Sequence, residues 1–138
     1  MNYSLQDLTA VAECDVLLSW AAREKANLSH RKMTDEFNTN KFAQTAQEIT
    51  NALMGVNAEI SANNAVLATV PENSETHEEA LNKQTRLTYK KFLLEERREN
   101  FGITSLIEKQ VDLARTGLEL SEMEQFMAAV DERRAALA

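Results

Sequence analysis

The chain has 138 residues and a formal net charge of −7. This charge argues against general affinity for nucleic acids or anionic membranes, because both require a net positive surface. Three glycines, one proline and one cysteine permit long helices and exclude an internal disulfide. β-Branched residues form no alternating runs, so we expect a single all-α domain over 1–138.

The first helix is predicted over about residues 5–32. Ser4 is a good N-cap, and Tyr3 and Leu8 are spaced to pack against each other around the helix start. The apolar residues that follow are spaced for one helical face, and they are Leu8, Val11, Cys14, Leu18, Ala21 and Leu28.

The second helix, predicted over about 41–69, carries the clearest pattern. Its apolar residues alternate four and three positions apart, as in the contact seam of a coiled coil. These positions are Phe42, Ala46, Ile49, Leu53, Val56, Ile60, Asn63, Leu67 and Val70. Glu48 and Glu59 are the only charged residues between Phe42 and Val70, so we expect other helices to cover this one on more than one side. Pro71 ends it, and Asn63, in a core-type position, is of the kind that fixes helix register.

The connection between these two helices has two interpretations. Residues 34–40 are poor in helix formers, and the seam positions Lys25, Lys32, Asp35 and Thr39 are polar, which favours a turn in the thirties. However, the apolar positions before and after this stretch share one heptad phase. A single helix over 5–69, pairing with 74–138 as one long hairpin around Pro71, therefore stays open as the alternative.

The third helix is predicted over about 75–116, with Asn73 or Ser74 as its cap. Its predicted apolar line is Leu81, Leu87, Tyr89, Phe92, Leu94 and Phe101. Gly102 marks either a break or a kink. Gly117 precedes Ser121 and Glu124, which form a capping-box pattern, so we expect a break there and a last helix over about 122–137. The preferred fold is an elongated antiparallel bundle, or coiled coil, of three long helices and a short C-terminal one.

No catalytic, cofactor-binding or metal-binding residues are predicted. Neither His30 nor His77 follows a glutamate at the spacing of a di-iron site. The sequence from His77 begins like a zinc motif, but Leu81 stands where the second histidine is required. Cys14 lies on the apolar stripe, where we expect a buried and unreactive thiol.

One charge pattern runs along the third helix. Lys83, Lys90 and Arg97 recur every seven residues, with Arg86 beside them. We expect their aliphatic stems to cover the seam and their charges to pair with acids of neighbouring helices. The alternative is a basic stripe that binds an acidic partner or a nucleic acid.

The C-terminal helix presents Met123, Phe126, Met127 and Val130 on one face. Methionine-rich faces suit partners of varied shape, so these residues are the candidate partner-binding site, although they can equally pack onto the bundle. The predicted function is a non-catalytic helical scaffold or interaction protein that binds a protein partner or forms a homo-oligomer. The alternatives are a small acidic adaptor or chaperone that holds an amphipathic segment, and an unfamiliar enzyme or metal protein. We expect a cytoplasmic location, with neither nucleic acid nor membrane among its partners.

Overall fold

Helices account for nearly the whole chain in the computed structural model, which describes residues 1–138. A 3-10 turn at Leu5–Asp7 precedes the helices α1 (Val11–Thr69), α2 (Glu75–Phe101) and α3 (Ile103–Leu137). The all-α prediction is confirmed. α1 has 59 residues, and α2 and α3 together form a bent arm of 63 residues that packs antiparallel to it.

The predicted turn in the thirties is wrong, because α1 continues through it. The structure therefore lacks the three long helices and short fourth helix of the preferred prediction. It has the alternative arrangement, a helical hairpin that turns at Pro71. Three of the four polar seam positions, Lys25, Asp35 and Thr39, meet polar groups of α3. Lys25 forms a salt bridge with Glu124 (Nζ to Oε1, 3.7 Å). Asp35 accepts a hydrogen bond from Thr116 at 2.8 Å.

The start of α1 also differs from the prediction. Ser4 precedes only the short 3-10 turn, and its side chain makes no capping hydrogen bond. Glu13 performs this role for α1 instead. Its carboxylate accepts hydrogen bonds from the backbone N–H groups of Thr9 (2.9 Å) and Ala10 (3.2 Å). These bonds satisfy donors that would be left free at the helix end.

The chain forms two compact units. The terminal unit comprises Met1–Asn38 and Gln110–Ala138, and the central unit comprises Thr39–Lys109. The core of the central unit contains Ile49, Leu53, Val56, Ala80 and Leu87. The core of the terminal unit contains Cys14, Ala21, Thr116 and Val130, all fully buried. The buried residues of α1 in both units lie on the heptad positions that the sequence predicts.

The turn after α1 follows the predicted pattern. α1 ends at Thr69, just before Pro71, and α2 begins after Ser74. The Ser74 hydroxyl donates to the Pro71 carbonyl at 2.7 Å and accepts from the His77 backbone N–H at 3.1 Å. Ser74, one of the two residues predicted for this position, is therefore the N-cap of α2.

The break in the second arm lies at Gly102, whereas the predicted break at Gly117 is wrong. Gly117 and Ser121 are both interior residues of α3. At Gly102 the chain passes so close to α2 that an added Cβ would collide with the carbonyl oxygen of Arg98 and lie 2.8 Å from the Arg98 Cγ. Only glycine fits this approach.

The break also changes the helical phase of the seam. The residues of α2 that pack against α1 are alternately four and three positions apart. If this spacing continued, Arg98 and Phe101 would be buried, but both are exposed. The buried residue is Gly102, and the α3 seam continues from there through Leu106 and Lys109. The break thus accommodates one extra residue relative to the regular heptad spacing of α1.

We expect Gly102→Ala and Gly117→Ala to change stability in opposite directions. The first should lower the free energy of unfolding by about 1–3 kcal/mol, because the backbone must move away from the new methyl group. The second should raise it by about 0.5–1 kcal/mol, since a Cβ at Gly117 meets nothing within 4 Å and alanine favours helix. Urea unfolding followed by circular dichroism measures both. A destabilised Gly117→Ala, or an unaffected Gly102→Ala, would contradict this assignment of the break.

No helix of the chain is both long enough and apolar enough to cross a membrane.

Candidate interaction surface

No three or more His, Cys, Asp or Glu side chains are grouped so that they could hold a metal ion. Cys14 is fully buried, as predicted from its apolar stripe. His30 is exposed on α1, and His77 is half-buried in the first turn of α2.

The four candidate residues on the C-terminal part of α3 make contacts within the terminal unit. Val130 is fully buried, and Met123 and Met127 are half-buried. The Phe126 ring makes edge contacts with Tyr3 (centroids 5.0 Å apart) and with Trp20 (6.0 Å). Such pairs stabilise beyond their buried area. Partner binding by these residues stays a prediction, but this intramolecular packing leaves little of the face free.

The N-terminal segment is held on the same part of α3 by polar contacts. The Arg133 guanidinium donates to the backbone carbonyls of Leu8 (2.7 Å) and Gln6 (3.1 Å). The Tyr3 hydroxyl donates to the Glu122 carboxylate. This hydrogen bond, with smaller contributions from burial and from the Glu122 charge, raises the pKa of Tyr3 above its ordinary value. The segment therefore completes the terminal unit.

A polar cluster occupies the seam of the terminal unit farther along. The Thr116 hydroxyl, fully buried, bonds to Asp35 (2.8 Å) and accepts from the Arg31 Nε (3.3 Å). Arg31 also forms a salt bridge with Glu119 at 3.3 Å. These groups line an open cleft of about 340 Å³. Because the charges satisfy one another, the cluster acts to hold α1 and α3 in register.

Asn63 has the corresponding role in the central unit. It is 5% exposed, and its side-chain amide donates to the Ala80 carbonyl at 2.8 Å and to the Gln84 side-chain oxygen at 3.2 Å. Moving α2 along α1 would break both bonds and leave a buried amide unsatisfied. The core-type position predicted for Asn63 is confirmed.

The predicted apolar line of the third helix is largely wrong. Only Leu87 and Leu94 lie in the seam, which runs through Ala80, Gln84 and Lys91 as well. Phe101 continues the seam phase and its ring lies 6.0 Å from that of Phe42, although it is 45% exposed. The other large apolar side chains of α2 are in other helical phases and face solvent. Four of them make up what we call the α2 surface: Leu81 (48% exposed), Tyr89 (63%), Phe92 (58%) and Leu93 (45%).

The basic residues of α2 do not pair as expected. Lys83, Arg86, Lys90 and Arg97 are all exposed, and none forms a salt bridge. The part of α1 in the central unit offers few acids within reach, since it contains only Glu48 and Glu59 after Phe42. The α2 surface is therefore bordered by positive charges that the chain does not neutralise by contact.

The chain matches no protein-family model, and no curated protein or solved structure is significantly similar to it. Functional proposals for this chain therefore rest on its own residues.

Proposed function

We propose that the protein is a non-catalytic helical interaction protein that binds another protein through the α2 surface. The observation that carries this proposal is the exposure of Leu81, Tyr89, Phe92 and Leu93 within 13 residues of one helix. Exposed apolar side chains that are clustered, rather than scattered singly, mark interaction sites in soluble proteins.

The arrangement of the helices explains why these residues lack a covering element. When two helices pack together, each buries only the face that touches the other. Apolar residues on a different face of either helix are covered only if another partner binds there. The core contains only eight buried apolar residues, whereas sixteen large apolar side chains are exposed. The apolar surface of this chain thus exceeds what its own helices cover.

The chemistry of the α2 surface is that of a protein contact. Tryptophan, tyrosine and arginine contribute most to binding energy at interfaces, because they combine a large apolar area with a polar end, and phenylalanine supplies the apolar area alone. Tyr89 and Phe92 supply the aromatic rings, and Arg86 lies beside them. The unpaired positive charges favour a partner that places carboxylates around an apolar stripe.

The test compares two matched double variants of the tagged full-length protein in its native cells. Tyr89→Ala with Phe92→Ala removes the centre of the α2 surface. Met33→Ala with Phe37→Ala removes side chains of α1 that are equally exposed, at 68% each. We expect the first pair to reduce capture of bound protein at least about tenfold, and the second pair to leave it unchanged.

Both variants must unfold at the same denaturant concentration as the natural protein for the comparison to hold. Capture that survives loss of Tyr89 and Phe92 would rule out the α2 surface as the binding site. A tagged bait also detects an untagged copy of the same chain, so the experiment makes no assumption about the identity of the bound protein.

A further inference from the structure

The charges around the start of α2 are separated into two adjacent segments of opposite sign. Residues 72–79 contain four acids and no lysine or arginine, and residues 80–94 contain four lysines or arginines and no acid. The acids are Glu72, Glu75, Glu78 and Glu79, and the bases are Lys83, Arg86, Lys90 and Lys91. All except the half-buried Lys91 are exposed. We call these the acidic segment and the basic segment.

The two segments do not neutralise each other within one chain. None of the eight side chains forms a salt bridge. Glu79 and Lys83 have the favourable four-residue spacing on one helix, yet they too remain unpaired. On α1, Glu48 and Glu59 are exposed and make no salt bridge either. Both segments are therefore available to another molecule.

An antiparallel copy of α2 complements this pattern. When a two-fold axis passes through Asn82, each residue i faces residue 164 − i of the other copy. Glu78 then faces Arg86 in two symmetry-related pairs, and residues 72–79 lie opposite residues 85–92, which include Arg86, Lys90 and Lys91. At 100° per residue, Glu75, Asn82 and Arg86 all lie on the half of α2 that points away from the seam.

The same arrangement places apolar groups together at both ends of the contact. Leu93, which is 45% exposed, faces Pro71 of the other copy, and Tyr89, one turn closer to the axis, faces Glu75. Pro71 is exposed and Val70 is half-buried in the turn before α2. The helix-to-helix part of the contact spans residues 75–89, which is roughly 21 Å at 1.5 Å per residue.

We infer that the molecule bound at the α2 surface is a second copy of this chain, in a two-fold antiparallel α2–α2 contact. This inference rests on the proposed function and names its partner. A two-fold contact uses the same surface from each copy, so that surface must be complementary to itself. Two segments of opposite charge arranged around a central residue meet this requirement. Because each chain carries a net charge of −7, overall repulsion makes association depend on this local complementarity.

The experiment is sedimentation velocity of the full-length protein over a wide concentration range, with two charge-reversed variants. One variant carries Lys83→Glu, Arg86→Glu and Lys90→Glu, and the other carries Glu75→Lys, Glu78→Lys and Glu79→Lys. The natural protein should convert from monomer to dimer as its concentration rises. Each variant alone should bind itself at least about tenfold more weakly, because like charges then face each other. An equimolar mixture of the two variants should form a heterodimer.

A third variant controls for the change in net charge. Arg23→Glu, Lys41→Glu, Gln44→Glu and Asn57→Glu makes the same change of six charge units at exposed positions of α1 that form no salt bridge, and this variant should dimerise like the natural protein. Circular dichroism verifies that every variant is helical.

The inference is overturned if the natural protein stays monomeric at all concentrations, if the variant with the reversed basic segment dimerises normally, or if the mixture does not associate. The natural protein could instead stay monomeric and still capture a partner that is lost when Tyr89 and Phe92 are removed. That result would support the proposed function and reject only self-association. If the variant with Tyr89→Ala and Phe92→Ala kept both its captured partner and its self-association, the proposed function and this inference would both be rejected.

Discussion

Ile49→Ala is expected to lower the free energy of unfolding by about 2–5 kcal/mol, the usual cost of truncating a buried aliphatic side chain. Ile49 is 1% exposed and lies in the core of the central unit beside Leu53 and Val56. Removing three of its carbon atoms leaves a cavity that neighbouring helical residues cannot fill without moving the backbone. Urea unfolding monitored by circular dichroism measures the loss.

Phe92→Ala is the matched control for this experiment. It removes a larger side chain, but Phe92 is 58% exposed, so we expect a cost below about 1 kcal/mol. The smaller truncation should therefore have the larger effect. Similar losses in the two variants would mean that the seam and the α2 surface are incorrectly assigned.

Truncation after Leu118 is expected to have the largest effect on stability of any change considered. It removes Val130 and Phe126, and with Arg133 it removes the hydrogen bonds that hold the N-terminal segment. It also exposes Cys14 and Ala21, which are fully buried in the intact chain. Each buried side chain of this kind contributes about 1.5–3 kcal/mol, and the net stability of a domain is only about 5–15 kcal/mol. The terminal unit should not fold in fragment 1–118.

A shorter truncation, after Arg134, provides the control. It retains Val130, Arg133 and the salt bridge between Arg134 and Asp15 (2.6 Å), and it should melt close to the full-length protein. Thermal unfolding of the three lengths gives the comparison. If 1–118 unfolded cooperatively at the temperature of the full chain, the C-terminal part of α3 would be a separable arm, and partner binding by Met123 and Phe126 would become the better interpretation.

The sequence allowed the central seam to be predicted residue by residue, because its four-and-three spacing continues from Phe42 to Val70 with Asn63 as the only polar member. It misled about the thirties for a physical reason. When one chain segment is considered alone, polar side chains at heptad positions indicate that the apolar face has ended, and a turn is predicted there. In the folded protein, Asp35 and Lys25 instead bond to Thr116 and Glu124, residues more than 80 positions away in the chain.

The second arm was harder to predict because α2 has apolar residues in more than one helical phase. Leu87 and Leu94 enter the seam, while Tyr89 and Phe92, which are larger, remain outside. Size and hydropathy do not distinguish these four residues. What distinguishes them is the way α2 packs on α1, which the hydrogen bond from Asn63 to the Ala80 carbonyl helps to fix. The two glycines were hard to distinguish for a different reason, because the close approach of Gly102 to Arg98, four residues earlier, depends on the local backbone conformation at the break. The residues of the α2 surface were thus visible in the sequence, but their exposure was not.

The burial of Cys14 gives this chain a built-in reporter of local opening. It is the only cysteine in the sequence, and it is fully covered within the terminal unit. A thiol reagent can modify it only when the residues around it separate, so the modification rate under native conditions measures how often this unit opens. The central unit contains no thiol that would add to the signal. The opening free energy of one half of the chain can therefore be followed without introducing a label.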